Sequence, residues 1–219
     1  MKKAFLLTFL PLLCFAAMPE LKLNPLNIYA ESKTYIYAIF DIASDSEVAK
    51  TKVSCIVAPS TITIKDSLNN SEAVISRRDF SPISGHSIFI YQGTYDITTL
   101  FTADSILLEA ATPQGDQNVA LERAQGTLLN NDQLLFSLPA MDFSIKKQHL
   151  KLFVPANASV IDLALIVEGE QKMTVPAGTF VVYKVKLDLG AAFQYAYYEK
   201  AYPHRMIAYD NTKIQYRLK

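Results

Sequence analysis

Apolar residues alternate with polar ones over most of this chain, and the alternation has a period of two. That is the spacing of a half-buried strand rather than of a helix. Thr179, Val181, Tyr183, Val185 and Leu187 share one face, while Lys184, Lys186 and Asp188 share the other. Ile214, Tyr216 and Leu218 likewise oppose Lys213, Gln215 and Arg217. Such runs predict antiparallel strands with one buried and one wetted face. Other runs are apolar on both faces. Tyr35, Tyr37 and Ile39 oppose Ile36, Ala38 and Phe40, and Leu163 and Leu165 oppose Ala164 and Ile166, so something must cover their second face. Strands are predicted over 34–41, 51–58, 61–65, 72–77, 87–91, 95–101, 105–111 and 118–127 in the first part of the chain. Those of the second part are 150–154, 160–168, 179–187, 193–199, 206–209 and 213–218. There is no alternation of strands with long helices, so the fold class is all-β: a curved antiparallel sheet or half-barrel.

One segment breaks the period. Asn130-Asn131-Asp132 precedes Gln133-Leu134-Leu135-Phe136-Ser137-Leu138-Pro139. Asn131 or Asp132 can cap a helix start, Leu134, Leu135 and Leu138 fall on one face, and Pro139 limits the helix. A short helix over 132–138 is therefore expected to lie against the concave face of the sheet. Residues 112–117, polar except for Pro113 and Gly115, read as a hairpin tip.

The N-terminus changes the compartment. Lys2 and Lys3 precede an apolar run from Ala4 to Phe15, and Cys14-Phe15-Ala16 offers small residues where a signal peptidase reads them. The expected organisation is a signal peptide over 1–16 and a single β-rich domain over 17–219, exported to the periplasm or secreted. The leader run is too short to span a bilayer as an ordinary transmembrane helix, and no later segment is longer, so no transmembrane segment is expected in the mature chain. Lipid attachment at Cys14 is disfavoured, because bulky Leu13 stands where a small residue is needed. The whole chain carries 21 basic and 21 acidic residues; without Lys2 and Lys3 the net charge is near −2. That balance is no footprint for nucleic acid. Without Cys14, Cys55 is the remaining thiol, flanked in alternation by Val53 and Val57, and is expected to be buried and inert.

The chemistry-bearing residues do not form a recognisable catalytic set. His86, His149 and His204 lie far apart in sequence, which gives no metal-ligand spacing, and no cofactor is expected. There is no Gly-x-Ser-x-Gly elbow. Ser84-Gly85-His86-Ser87 and Glu168-Gly169-Glu170 carry groups a hydrolase could use, but both read as turns between strands. A non-enzyme is expected, with a hydrolase assembled across the fold the least favoured alternative.

Binding is the better-supported class. The chain has 12 tyrosines, 12 phenylalanines and no tryptophan, densest near its end. Tyrosine combines an apolar body with a polar tip, which suits a core boundary or the mouth of an apolar cavity.

Val175-Pro176-Ala177-Gly178-Thr179-Phe180 reads as a tight turn feeding a long strand, and Tyr202-Pro203-His204-Arg205-Met206 opens another strand. Together these pieces resemble an uncharacterised family of secreted bacterial proteins, a domain of unknown function related in fold to the periplasmic lipoprotein-carrier proteins. The resemblance covers 167–218, with a weaker echo over 134–155. It implies an open curved sheet whose concave face holds an acyl chain or similar hydrophobic ligand. This chain departs from the carriers in offering one short helix candidate. On this reading Tyr183, Val185, Phe193, Tyr195 and Tyr197 are the expected cavity walls, with Leu135 and Leu138 as the lid. His204 and Arg205 are either a polar pair at the cavity mouth, suited to an acidic head group, or structural residues at a strand entry. The expected partner is a lipid or other hydrophobic small molecule, with contact to an envelope protein as the alternative.

Overall fold

A computed structural model describes residues 18–25, 28–68, 70–90, 92–190 and 192–219, so the expected leader and Cys14 lie outside the described residues. The first half is an antiparallel meander of β1 (Lys33–Asp41), β2 (Ser46–Val57), β3 (Thr61–Asp66), β4 (Ser71–Ser76), β5 (Pro82–Ile90), β6 (Thr94–Phe101), β7 (Ser105–Thr112) and β8 (Gly115–Glu122). A short strand β9 (Leu128–Asn130), a one-turn helix α1 (Leu134–Ser137) and a 3-10 turn (Leu138–Ala140) follow. The second meander is β10 (Lys147–Val154), β11 (Ser159–Val175), β12 (Gly178–Asp188), β13 (Phe193–Glu199), β14 (Met206–Asp210) and β15 (Ile214–Leu218). β1 pairs with β15, so all fifteen described strands join one sheet whose edges are β8 and β9. Every neighbour is antiparallel except β9 and β10.

Each of the predicted strands is present, and the fold class is as expected. β9 was not legible, because three residues are too few to show alternation. Two expected turns are strand interiors instead. Ser84 to Ser87 lie within β5, where His86 Nε2 meets Asp96 Oδ1 of β6 at 2.8 Å. Gly169 lies within the 17-residue β11, at φ 145°, where a register shift marks a bulge. The carboxylates beside it do not end the strand because Lys184 and Lys200 neutralise Glu168 and Glu170 at 2.8 and 2.7 Å.

The sheet curls until its ends overlap. Tyr37, Ile39, Val53, Cys55, Ile62, Ile64 and Ile75 of β1–β4 face inward onto a core shared with Leu150, Leu152, Leu163, Leu165, Val185 and Leu187 of β10–β12. Beyond β5, Ile97, Phe101, Ile106 and Leu108 of β6 and β7 pack on Leu128, Phe153 and Val160. Phe153 follows Leu152, so it points to the opposite side of β10 from the main core. The β6–β8 flap therefore lies over the outside of β9–β11, and the sheet is a scroll rather than a closed barrel. Phe101 and Phe153 meet edge to face at 5.6 Å across this seam. Gly85 belongs to the seam as well: a Cβ there would stand 2.5 Å from Asn130 Nδ2, so the buried Asn130 amide would have to shift to admit one.

The described N-terminal segment ties the scroll across one end. Leu21 N donates to His149 O at 2.7 Å, Asn24 N donates to Ala140 O at 2.8 Å, and the chain then enters β1. Leu21 and Tyr29 are buried on this path.

Candidate functional site

The interior of the scroll is filled by the segment that breaks the strand period. α1 is a single turn, too short to persist on local propensity, so the walls must hold it. Tyr29 Oη donates to Phe136 O at 2.7 Å and Tyr198 Oη donates to Leu135 O at 2.9 Å. These two hydroxyls satisfy carbonyls that a helix end leaves without partners. Gln133, fully buried, fixes the start: its amide donates to Phe80 O at 2.8 Å and Ser137 Oγ at 3.2 Å, and Oε1 accepts from Asn130 N at 3.3 Å. The expected cap is different from the observed one. Gln133 occupies the N-cap position, and no side chain caps the turn.

Asp132 is thereby released from capping and turned to another surface. Between the plug and the strand walls lies a cavity of about 500 Å³. Leu134, Leu135 and Phe136 form its plug side, and Leu152, Leu187 and Met206 are among its apolar walls. Asn131, Asp132, Asp66, Asn157, Gln194 and Asn211 are among its polar lining residues. Asn131 and Asn157 are exposed, so the cavity reaches the surface there.

Its electrostatics are acidic. Asp66 Oδ1 accepts from Thr51 Oγ1 at 2.5 Å and from Leu68 N at 2.9 Å. Asp132 Oδ2 is shielded from solvent and has no hydrogen-bond partner among the described residues. Burial pushes the Asp132 carboxyl up to about 6, with the Asn131 side chain opposing and the Asp66 charge adding to the rise. Tyr209 also lines the cavity; its hydroxyl donates to Gln194 Oε1 at 2.7 Å, and burial pushes the phenol well up.

The residues singled out from the sequence are dispersed. Leu135 lines the cavity, whereas Leu138 and Val185 are wholly buried in the core beside it. Tyr183 stacks on Phe143 with ring centres 4.7 Å apart, four residues along β12 from the cavity-lining Leu187. Phe193 and Tyr195 stand on the outer face of the sheet, and Tyr197 shares that face although it is buried there; none of the three lines the cavity, which corrects their expected place as its walls. The register shows why. Val185 pairs with Ala196 and Leu187 with Gln194, so the inward residues of β13 are Gln194, Ala196 and Tyr198. Tyr195 and Tyr197 instead pair with Lys186 and Lys184. The lysine stems cover the rings: Lys184 Nζ lies 4.0 Å from the centre of Tyr195 and Lys186 Nζ 5.0 Å from that of Phe193. Outward aromatics are stable there because cations sit over their faces.

His204 and Arg205 form no cavity mouth. His204 Nδ1 meets Glu199 O at 3.0 Å, and its ring lies 5.0 Å from that of Phe143. Arg205 Nε donates to Glu199 Oε2 at 2.6 Å, and the guanidinium lies 5.0 Å from the centre of Phe180. The void beside Arg205 measures about 10 Å³, room for at most a water. Cys55 is fully buried, and burial pushes its thiol up to about 12.

Asp132, Asp66, Gln194 and Tyr209 were not singled out for the site from the sequence. A signal for Gln194 was present: Lys184 and Lys186 must face water, and whatever pairs with them must face outward too.

No family model matches the chain, and no curated protein does. Among solved structures, the chain is similar to a beta-barrel-like protein of domain of unknown function DUF1849 from Brucella abortus. The two share 9% identity and a TM-score of 0.49, over 93% of this chain and 98% of that one.

Proposed function

We propose that this protein binds a hydrophobic or lipid-like small molecule in the cavity beside α1, without chemical change, in the periplasm or outside the cell as part of envelope maintenance. The observation that carries the reading is the cavity of about 500 Å³ itself. It falls in the range of small-molecule pockets, and it combines apolar walls with a few convergent polar groups, as such pockets do. A fully packed scroll would have no such space. Native mass spectrometry of detergent-free protein, before and after organic extraction, tests the reading. A bound mass of a few hundred daltons, lost on extraction and lost again in Leu135→Trp, is the expected result. An unchanged apo mass after exposure to envelope lipids would reject it.

A second reading, contact with an envelope protein, is favoured by one feature. β8 is an edge strand with most of its residues exposed, available for pairing with another chain. Asp116 and Glu122 on that strand oppose indiscriminate pairing.

A further inference from the structure

We propose that the cavity selects an amphiphile with a cationic amine head and disfavours anionic heads such as a carboxylate. The inference rests on the reading that the cavity holds a ligand, and adds the chemistry of its head group. Asp132 supplies the first observation: the residue lines a ligand-sized space, and its Oδ2, closed off from solvent, has no hydrogen-bond partner among the described residues. A carboxylate with an oxygen left in this way is costly, and an ammonium held in the cavity beside it answers it with countercharge. The second observation is the company it keeps. Asp66 brings another carboxyl from β3, while Asn157, Gln194 and Asn211 bring neutral amides and Tyr209 and Tyr216 bring phenols from the second meander. Asn131, on the same turn, adds a further amide, and the Asp132 backbone N–H is already donated to Asn130 Oδ1 at 3.3 Å. No lysine, arginine or histidine lines the space among the described residues. An anionic head would therefore meet two carboxyls and no countercharge, in a setting where weak screening magnifies the repulsion. This reverses the preference that a polar pair of His204 and Arg205 at the mouth would have given.

The raised position of the Asp132 carboxyl fits the same picture. An ammonium beside it stabilises the ionised form, so binding near pH 6 should release a proton.

Calorimetric titration of the purified protein with dodecylamine, dodecanol and laurate, each kept below its micelle concentration, separates the possibilities. At pH of about 7.5, dodecylamine should bind at least about tenfold more tightly than dodecanol, and laurate more weakly than dodecanol. Asp132→Asn should bring dodecylamine to within about threefold of dodecanol measured on the same variant. In the unmodified protein, lowering the pH to about 5 should weaken dodecylamine by about tenfold and leave dodecanol unchanged, since the amine stays charged throughout. This arm needs no variant to fold. Laurate binding as tightly as dodecylamine would overturn the head-group assignment while leaving the cavity reading intact. An amine preference indifferent to both Asp132→Asn and pH would do the same. Failure of all three probes to bind would overturn both.

Discussion

Asp132→Asn should make the unliganded protein more stable at neutral pH, although it removes a charge from the proposed binding site. The carboxyl ordinarily titrates at 3.8 and is pushed up to about 6 in the fold. Between those values the folded state holds more protons than the unfolded one, so stability falls as the pH rises through the interval. Above about 6 the whole penalty stands, and below about 3.8 it is absent. At ~1.4 kcal/mol for each tenfold in proton affinity, the gap corresponds to an upper bound of ~3 kcal/mol. Asparagine is not free of cost, because its amide is buried at the same place, which leaves an expected gain of ~1–2 kcal/mol at pH of about 7. Urea unfolding at that pH should show the midpoint displaced upward by roughly 0.5–1 M with an unchanged slope. The gain should vanish near pH of about 3, where the aspartate is largely protonated in both states. A variant that is less stable at neutral pH, or equally stabilised at both values, would refute the view that Asp132 is a desolvated acid with one oxygen left unpartnered. A destabilising carboxyl kept beside a cavity is the kind of concession that binding sites make.

Three further outcomes follow from the packing. Gly85→Ala should destabilise the fold by ~1–3 kcal/mol in denaturant titration, because its Cβ would stand 2.5 Å from buried Asn130 Nδ2 in the seam. Phe153→Ala should cost ~3–5 kcal/mol in the same assay, whereas Tyr195→Ala, on the outside beneath Lys184, should cost under about 1.5 kcal/mol and leave ligand retention unchanged. Cys55 should resist thiol reagents in the native protein at pH of about 8 and react fully once urea unfolds it, since the buried thiol is pushed up to about 12.

The strand inventory was legible because period-two alternation is a local property, and each strand carries it within its own residues. What the chain hides is phase and closure. Phe193, Tyr195 and Tyr197 are more apolar than Gln194, Ala196 and Tyr198, so local hydrophobicity points the wrong face of β13 inward. Only pairing with Lys184 and Lys186 corrects it, and pairing is a property of two strands. Ser84-Gly85-His86-Ser87 looks like a turn because polar residues flank a glycine. The strand continues because Gly85 serves a contact with Asn130, 45 positions away in the chain. Asp132 shows the same limit at the site. Its place before Leu134 suggests a cap, yet Gln133 takes that position, and the cavity that Asp132 meets is made by strands from both meanders.

The overlapping seam has a consequence for the width of the interior. A closed barrel has its bore fixed by strand number and shear, so it can change only in steps. Among the described residues no ladder joins β8 to β9, so girth depends on how far one flap lies over the other. The Phe101 and Phe153 rings, and the close approach of Asn130 to the bare Gly85, act as the stops of that slide. The bore is therefore a continuous variable, and a family of such proteins could be retuned for larger or smaller guests by resizing seam residues, with every hydrogen bond between strands kept.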